Sequence, residues 1–327
     1  MRRRVTVIGG GTGSFQVLTG LRHHSPLEIR SIVTMMDSGG DSGRLRDEFG
    51  LLPPGDVRRC LVALSEESDL LRELFSYRFT EEPLAGRSFG NLFVLALTRT
   101  LGSEKEAIGA VGRILKIRGE VIPVTWDHAH LFAELSDGSL VEGEANINAP
   151  RECSDAPISR VYLSPEASAN PRALQAIRTA DYVVLAPGDL YTSTLPNLLV
   201  SGVSEALQET RARLVYVMNL MSRTSETRGY TGARHVERIA EYGGRVPDAV
   251  LAHAGAVPDE VIRRYEAEQA HPIEPDAAAL YALGVGRVVQ EPVASAASLV
   301  RHDPARTAAA LLRLFGELDA PMLASGA

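Results

Sequence analysis

Short apolar runs alternate along this chain with segments whose apolar positions recur every three or four residues. The first kind reads as buried strands and the second as helices packed on them, so the pattern predicts an α/β fold with a mainly parallel, doubly wound, Rossmann-like sheet. Val5 to Ile8 is a strand, followed by a glycine loop at Gly9 to Gly13 and a helix to about Leu21. Ile29 to Met36 is a second strand, and the glycine-rich stretch Asp37 to Arg46 reads as a polar loop. Asp56 to Lys116 is helical in period, with Leu92, Leu95 and Ala96, then Ile108, Val111 and Leu115, on apolar faces.

Between Val121 and Leu163 the period shortens, and Asp137-Gly138 supplies a turn, which predicts a β-hairpin insertion over about 120–163. Alternation then resumes: helix Pro171 to Thr179, strand Tyr182 to Ala186, helix Pro196 to Gln208, strand Leu214 to Val217, further strands at Ala249 to Ala252 and Val285 to Val289, and a last helix from Pro304 to Leu318. No repeat or Gly/Ser linker divides the chain, so a single domain over 1–322 is expected, with 323–327 as a frayed tail.

Composition narrows the classes. With 45% hydrophobic and 23% charged residues the chain is globular, and its 41 acidic side chains against 34 basic ones (net −7) offer no general field for nucleic acid. No stretch of ~18 uncharged apolar residues predicts a membrane span. The opening Met1-Arg2-Arg3-Arg4 leads straight into a strand too short for a signal-peptide core, and Cys60 and Cys153 share no motif, so a cytoplasmic protein is expected. Only two of the basic residues are lysines, Lys105 and Lys116; the cationic chemistry is that of arginine.

Five polar loops carry the candidate chemistry. Gly9-Gly10-Gly11-Thr12-Gly13-Ser14 joins a strand to a helix, where close backbone approach and free amides favour an anion. It lacks the lysine of a P-loop, and Ser14 stands at the third glycine position of a dinucleotide fingerprint. Asp37-Ser38-Gly39-Gly40 leaves the second strand; Asp37 can accept from a ribose, hold Mg²⁺ through water or act as a base, and Arg44 and Arg46 can pair with phosphate, or these residues simply cap and solvate the loop. In Pro54-Gly55-Asp56-Val57-Arg58-Arg59, Asp56 reads as a helix cap and one arginine as facing a pocket. Ser88 and Asn91, in Gly86-Arg87-Ser88-Phe89-Gly90-Asn91, either cap a helix or face a ligand. Pro187-Gly188-Asp189-Leu190-Tyr191-Thr192-Ser193 repeats the strand-to-helix logic, with Asp189 better suited to a sugar, base or metal than to a phosphate. The histidines show no metal motif, and no Gly-x-Ser-x-Gly elbow occurs.

Taken together, Gly9 to Gly13, Met35 to Gly40 with Ser42-Gly43-Arg44-Leu45-Arg46, Pro54 to Leu61, Ser88 to Asn91, Pro187-Gly188, Leu190 to Ser193, Asn219-Leu220-Met221 and Gly229-Tyr230-Thr231 closely resemble the YvcK-type gluconeogenesis factors of bacteria. Those factors are grouped with the 2-phospho-L-lactate transferases and their Rossmann-like fold. The resemblance implies a cytoplasmic protein that binds a UDP-sugar such as UDP-N-acetylglucosamine and is needed for cell shape and growth on gluconeogenic carbon. It implies nucleotide-sugar contacts at Tyr265 and Arg301, and it places a pocket carboxylate at Asp37. Asp37 lacks the adjacent acidic pair of the transferases; Asp41 and Asp189 replace usual serines, and Arg223-Thr224-Ser225 replaces a usual Gln-Pro-Gly.

Three functions follow as expectations. The first is a nucleotide-sugar sensor acting through a cell-wall or regulatory protein partner, with homo-oligomers possible and neither nucleic acid nor membrane insertion involved. It uses Gly10, Gly11, Thr12, Gly13, Asp37, Ser38, Gly39, Gly40, Arg44, Arg58, Ser88, Asn91, Gly188, Leu190, Tyr191, Asn219, Tyr265 and Arg301. The second is a phospholactyl-type transferase with Asp37 catalytic and holding Mg²⁺ beside the bound nucleotide; the third is an NAD-type dinucleotide binder.

Overall fold

The computed structural model describes residues 2–149, 156–296 and 300–320. Seven strands form one parallel sheet: β1 (Arg3–Gly9), β2 (Leu27–Val33) and β3 (Glu120–Pro123) on one side, then β7 (Tyr182–Leu185), β8 (Arg213–Val217), β9 (Ala249–His253) and β10 (Arg287–Glu291), in the order β10-β9-β8-β7-β1-β2-β3. Val5, Val7, Ile8 and Val183 to Leu185 are wholly buried, as strands covered by helices on both faces must be. The chain runs outward from β1 through β2 and β3, then returns to the other side of β1 at β7. This reversal makes the carboxyl ends of β1 and β7 the switch point where open α/β sheets take ligands.

Between β3 and β7 lies a three-stranded antiparallel sheet of β4 (His130–Leu135), β5 (Leu140–Glu142) and β6 (Ile158–Ser164), with a short helix, Glu144–Asn148. The Asp137-Gly138 turn closes β4 on β5, with Gly138 at φ +84°. The expected insertion boundary is corrected here: Glu120–Pro123 pairs in parallel with β2, as the edge of the main sheet, and the insertion begins after it with three strands. A four-residue apolar run looks alike in either sheet, and only its partner decides.

Two further elements depart from the sequence pattern. The stretch expected as a loop after β2 is helical from Gly40 to Phe49, because Leu45 buries its face and Gly50, at φ +66°, closes the last turn onto the Arg46 carbonyl. The helix expected over 196–208 is broken into a π-helical turn (Leu190–Thr194) running into Leu195–Leu198 and a separate helix, Val203–Glu209, after Gly202 at φ +95°. The last strands, β11 (Ala294–Ala296) and β12 (Val300–His302), form an antiparallel pair. The final helix, Pro304–Asp319, returns to the first, Gly11–Leu21; a Cβ at Gly20 would lie 2.0 Å from the Pro304 carbonyl oxygen. Phe315 stacks on Tyr182 with centroids 4.0 Å apart and fixes that helix to β7. Cys60 is buried and free, whereas Cys153 and 323–327 lie outside the described residues.

Candidate functional site

The loops after β1 and β7 touch, and glycine is what lets them. A Cβ on Gly13 would sit 1.8 Å from the Pro187 carbonyl oxygen, so the first turn of helix Gly11–Leu21 can approach the β7 loop only without a side chain. Gly11, at φ +66°, turns the chain into that helix. Gly10, Gly11, Thr12 and Gly13 line a cleft of about 720 Å³, in the range of nucleotide-sized ligand sites. Asn219, following β8, holds the β7 loop from below: Gly188 N–H donates to its Oδ1 (3.3 Å), and its Nδ2 donates to the Gly188 carbonyl (2.5 Å).

One wall is cationic. Arg58 is buried, its Nε donating to Asn91 Oδ1 and its Nη1 to the Phe75 carbonyl, both at 2.8 Å. Burial pulls its guanidinium down to about 10, which leaves it charged at neutral pH. Arg59 and Arg78 line the same wall. Beneath Arg58, the buried Asp41 accepts from Ser88 N–H and Asn91 Nδ2, each at 2.9 Å, and pairs with Arg87 at 3.4 Å. Asp41 thereby ties helix Gly40–Phe49 to helix Phe89–Leu101 and orients the amide that steadies Arg58.

Asp56 is corrected from its expected capping role. Pro54 occupies the cap of helix Gly55–Leu64, and the buried Asp56 carboxylate turns to the glycine loop, accepting from Gly11 N–H and pairing with Arg59 at 3.0 Å. Burial, reinforced by Asp37, pushes it up to about 6. Glu144, from the inserted helix, is pushed up to about 7, again by burial first and Asp37 second. Asp37 thus gains in space the acidic neighbours it lacks in sequence, while its Oδ1 accepts from Gly39 N–H at 2.9 Å. Among the described residues no three His, Cys, Asp or Glu side chains converge closely enough to hold an ion by themselves.

The opposite wall comes from the insertion and the last third of the chain. Asn148 bridges Asp189 (3.0 Å) and Arg223 (2.8 Å), which pair with each other at 3.5 Å; the replacements Asp189 and Arg223 are therefore neighbours across the cleft rim. The π-helical turn is held from behind by buried Glu226, which accepts from Tyr191 N–H (2.8 Å) and Thr192 Oγ1 (2.6 Å) and whose carboxyl burial pushes up to about 8. Tyr265 accepts from Val300 N–H at 3.1 Å, and Tyr265 and the exposed Arg301 of β12 both line the cleft.

The model of the family described as 2-phospho-L-lactate transferase CofD matches residues 5–293. The chain belongs to the CofD family. A gluconeogenesis factor from Halalkalibacterium halodurans is 41% identical over 95% of this chain and 96% of its own length, and one from Bacillus subtilis is 38% identical over 96% and 98%. A crystal structure of a UPF0052 family member from Bacillus halodurans superposes with a TM-score of 0.90 at 40% identity, over 95% of this chain and 99% of that one. The resemblance read from the glycine and arginine loops is thus shown, and this family's Rossmann-like sheet with them.

Within this CofD-family cleft, Gly10, Gly11, Thr12, Gly13, Asp37, Gly39, Gly40, Arg58, Asn91, Gly188, Asn219, Tyr265 and Arg301 stand together in the lining. Ser38, Arg44, Ser88, Leu190 and Tyr191 stand outside it. Ser38 accepts from Ala145 N–H (3.0 Å) and anchors the inserted helix. Arg44 points to solvent from the outer face of its helix, and Arg46 donates to His130. Ser88 occupies a helix cap position with no capping side-chain bond, and Leu190 and Tyr191 are buried in the π-helical turn, where Arg238 Nε donates to Tyr191 Oη at 2.9 Å. Sequence reading passed over Gln16, Arg78, Glu144, Asn148 and His302 of the lining. Glu144 and Asn148 are one helical turn apart on a common face, a signal that acquires meaning only once the insertion is known to fold over the cleft.

No helix among the described residues is long and apolar enough to cross a membrane.

Proposed function

We propose that the cleft takes a nucleotide sugar of the UDP-N-acetylglucosamine type, and that the protein is a cytoplasmic regulatory factor coupling carbon supply, including growth on gluconeogenic carbon, to cell-wall synthesis through a protein partner. One observation carries this reading: a glycine-rich helix start with a buried arginine beside it faces Tyr265 and Arg301, so one cleft offers a diphosphate seat opposite an aromatic ring and a guanidinium fork. The names of the relatives, gluconeogenesis factors, agree with the broader role. Isothermal titration is expected to give UDP-N-acetylglucosamine binding that Arg301→Ala weakens by about tenfold, in line with loss of a charge-assisted contact. No heat of binding at millimolar ligand would overturn the reading.

A second reading, a transferase acting on a nucleotide-activated donor, draws on the acidic group at Asp37. Hard carboxylate oxygens suit Mg²⁺, which is commonly held by one or two carboxylates plus substrate phosphates. Asp37 and Asp56 are the side chains that would hold it, and its chemistry there would be charge neutralisation at the diphosphate. The raised proton affinities of Asp56 and Glu144, set by burial first and by the neighbouring Asp37 second, fit carboxylates crowded together in one pocket. Under this reading Mg²⁺ raises the melting midpoint and Asp37→Asn abolishes that shift together with any turnover; a wild type indifferent to Mg²⁺ and inactive on nucleotide-activated donors excludes it. A thermal-shift comparison of UDP-sugars, GDP and NAD separates both from a dinucleotide binder.

A further inference from the structure

The two lysines of the chain and its one tryptophan gather at a single groove that shares no lining residue with the cleft. The groove holds about 470 Å³ and runs between helix Glu104–Ile114 and the edge strand β3, with Trp126 and Arg172 at its end. Its floor is apolar, formed by Leu61, Ile108, Val121 and Ile122.

Its rim is cationic. Lys116 pairs with Glu67 (2.5 Å) and Arg172 with Glu120 (2.5 Å), but Lys105 and Arg113 have no acidic partner among the described residues. Lys105, Gly109 and Arg113 fall at four-residue spacing on one helix face, so a residue without a side chain separates the two unpaired cations. Packing does not require that glycine. A Cβ at Gly109 would meet nothing nearer than the Arg113 guanidinium, at 3.6 Å, and glycine weakens a helix interior. The glycine keeps the groove open between its two charges.

We propose that this groove is a second binding site, for a small anion with a planar apolar body. The body lies on the floor against the Trp126 indole, and the acidic group meets Lys105 and Arg113 across Gly109. The volume fits such a molecule. Strand addition by a peptide fits less well: β3 has four residues, and Asn170 already covers its carboxyl end, donating to the Pro123 carbonyl from its side chain (3.0 Å) and to the Val124 carbonyl from its backbone (2.8 Å).

The probe is 1-anilinonaphthalene-8-sulfonate, titrated into the full chain with emission excited through Trp126, which alone can serve as the indole donor. Saturable energy transfer is expected, unaffected by UDP-N-acetylglucosamine. Lys105→Glu with Arg113→Glu is expected to weaken it at least tenfold, and the uncharged N-phenyl-1-naphthylamine to bind correspondingly worse. Gly109→Leu fills the groove and should remove the signal without lowering the melting midpoint. Absence of transfer, or transfer that persists in both the charge-reversed and the filled variants, would overturn the proposal.

Discussion

His235 is the sharpest handle on how this fold responds to acid. It is buried on helix Gly232–Gly243, where its Nδ1–H donates to the Thr231 carbonyl at 2.9 Å, its ring meets Tyr230 edge-on, and Nε2 has no hydrogen-bond partner among the described residues. Burial therefore disfavours the imidazolium and lowers the group from 6.5 to about 4. His302 is lowered to about 4 for the same reason. A depressed basic group contributes stability that is complete above its unfolded value and is lost as pH falls towards the folded one, here between 6.5 and about 4. Linkage over that window makes each histidine destabilising by about 2 kcal/mol at about pH 5 relative to neutrality. Asp56, Glu144 and Glu226 act in the opposite direction, because raised carboxyls lose their contribution as pH rises towards about 6, 7 and 8. The wild-type curve alone thus mixes signs, and a difference measurement is needed. His235→Phe keeps a ring in the site and removes the titration. Urea unfolding of both proteins should show the variant gaining about 2 kcal/mol on the wild type between neutrality and about pH 5, at unchanged m-value. A stability difference that is flat with pH would refute the assignment of a buried neutral imidazole.

Two packing predictions test how the cleft is built. Gly13→Ala puts a methyl group 1.8 Å from the Pro187 carbonyl oxygen, so the β1 and β7 loops must separate; a loss of about 1–3 kcal/mol in denaturant unfolding is expected, and an unchanged midpoint would show that the loops do not bear on each other. Asp41→Ala strands the Ser88 N–H and the Asn91 amide, at a cost of about 3–5 kcal/mol for breaking a buried charged network, whereas Asp41→Asn, which keeps an acceptor, should cost less; equal losses in the two variants would contradict the network.

The features legible in the sequence were those set by neighbours along the chain. Val5 to Ile8 and Tyr182 to Leu185 announce buried strands by their short, mainly apolar, β-prone runs, and the Asp137-Gly138 hairpin follows from its turn residues. The errors arose where a remote partner decides. Glu120–Pro123 has a strand-like sequence whichever sheet it joins, and Asp56 has the chemistry of a cap although its carboxylate serves the Gly11 amide. The run from Gly40 to Arg46 looks like a loop by its glycines and becomes helical because Leu45 is buried and Asp41 reaches across to Ser88 and Asn91.

By itself the sequence determined the alternating α/β architecture, the glycine-rich loops at the strand ends, the family, and the reliance on arginine. These depend on local period, backbone freedom and residue chemistry. Tertiary structure alone decided which charges meet: that Asp37, Asp56 and Glu144 share a pocket, that Arg223 answers Asp189 through Asn148, and that Lys105, Lys116 and Trp126 flank one groove. Electrostatic interaction depends on distance in space and on burial, and neither quantity is carried by separation along the chain.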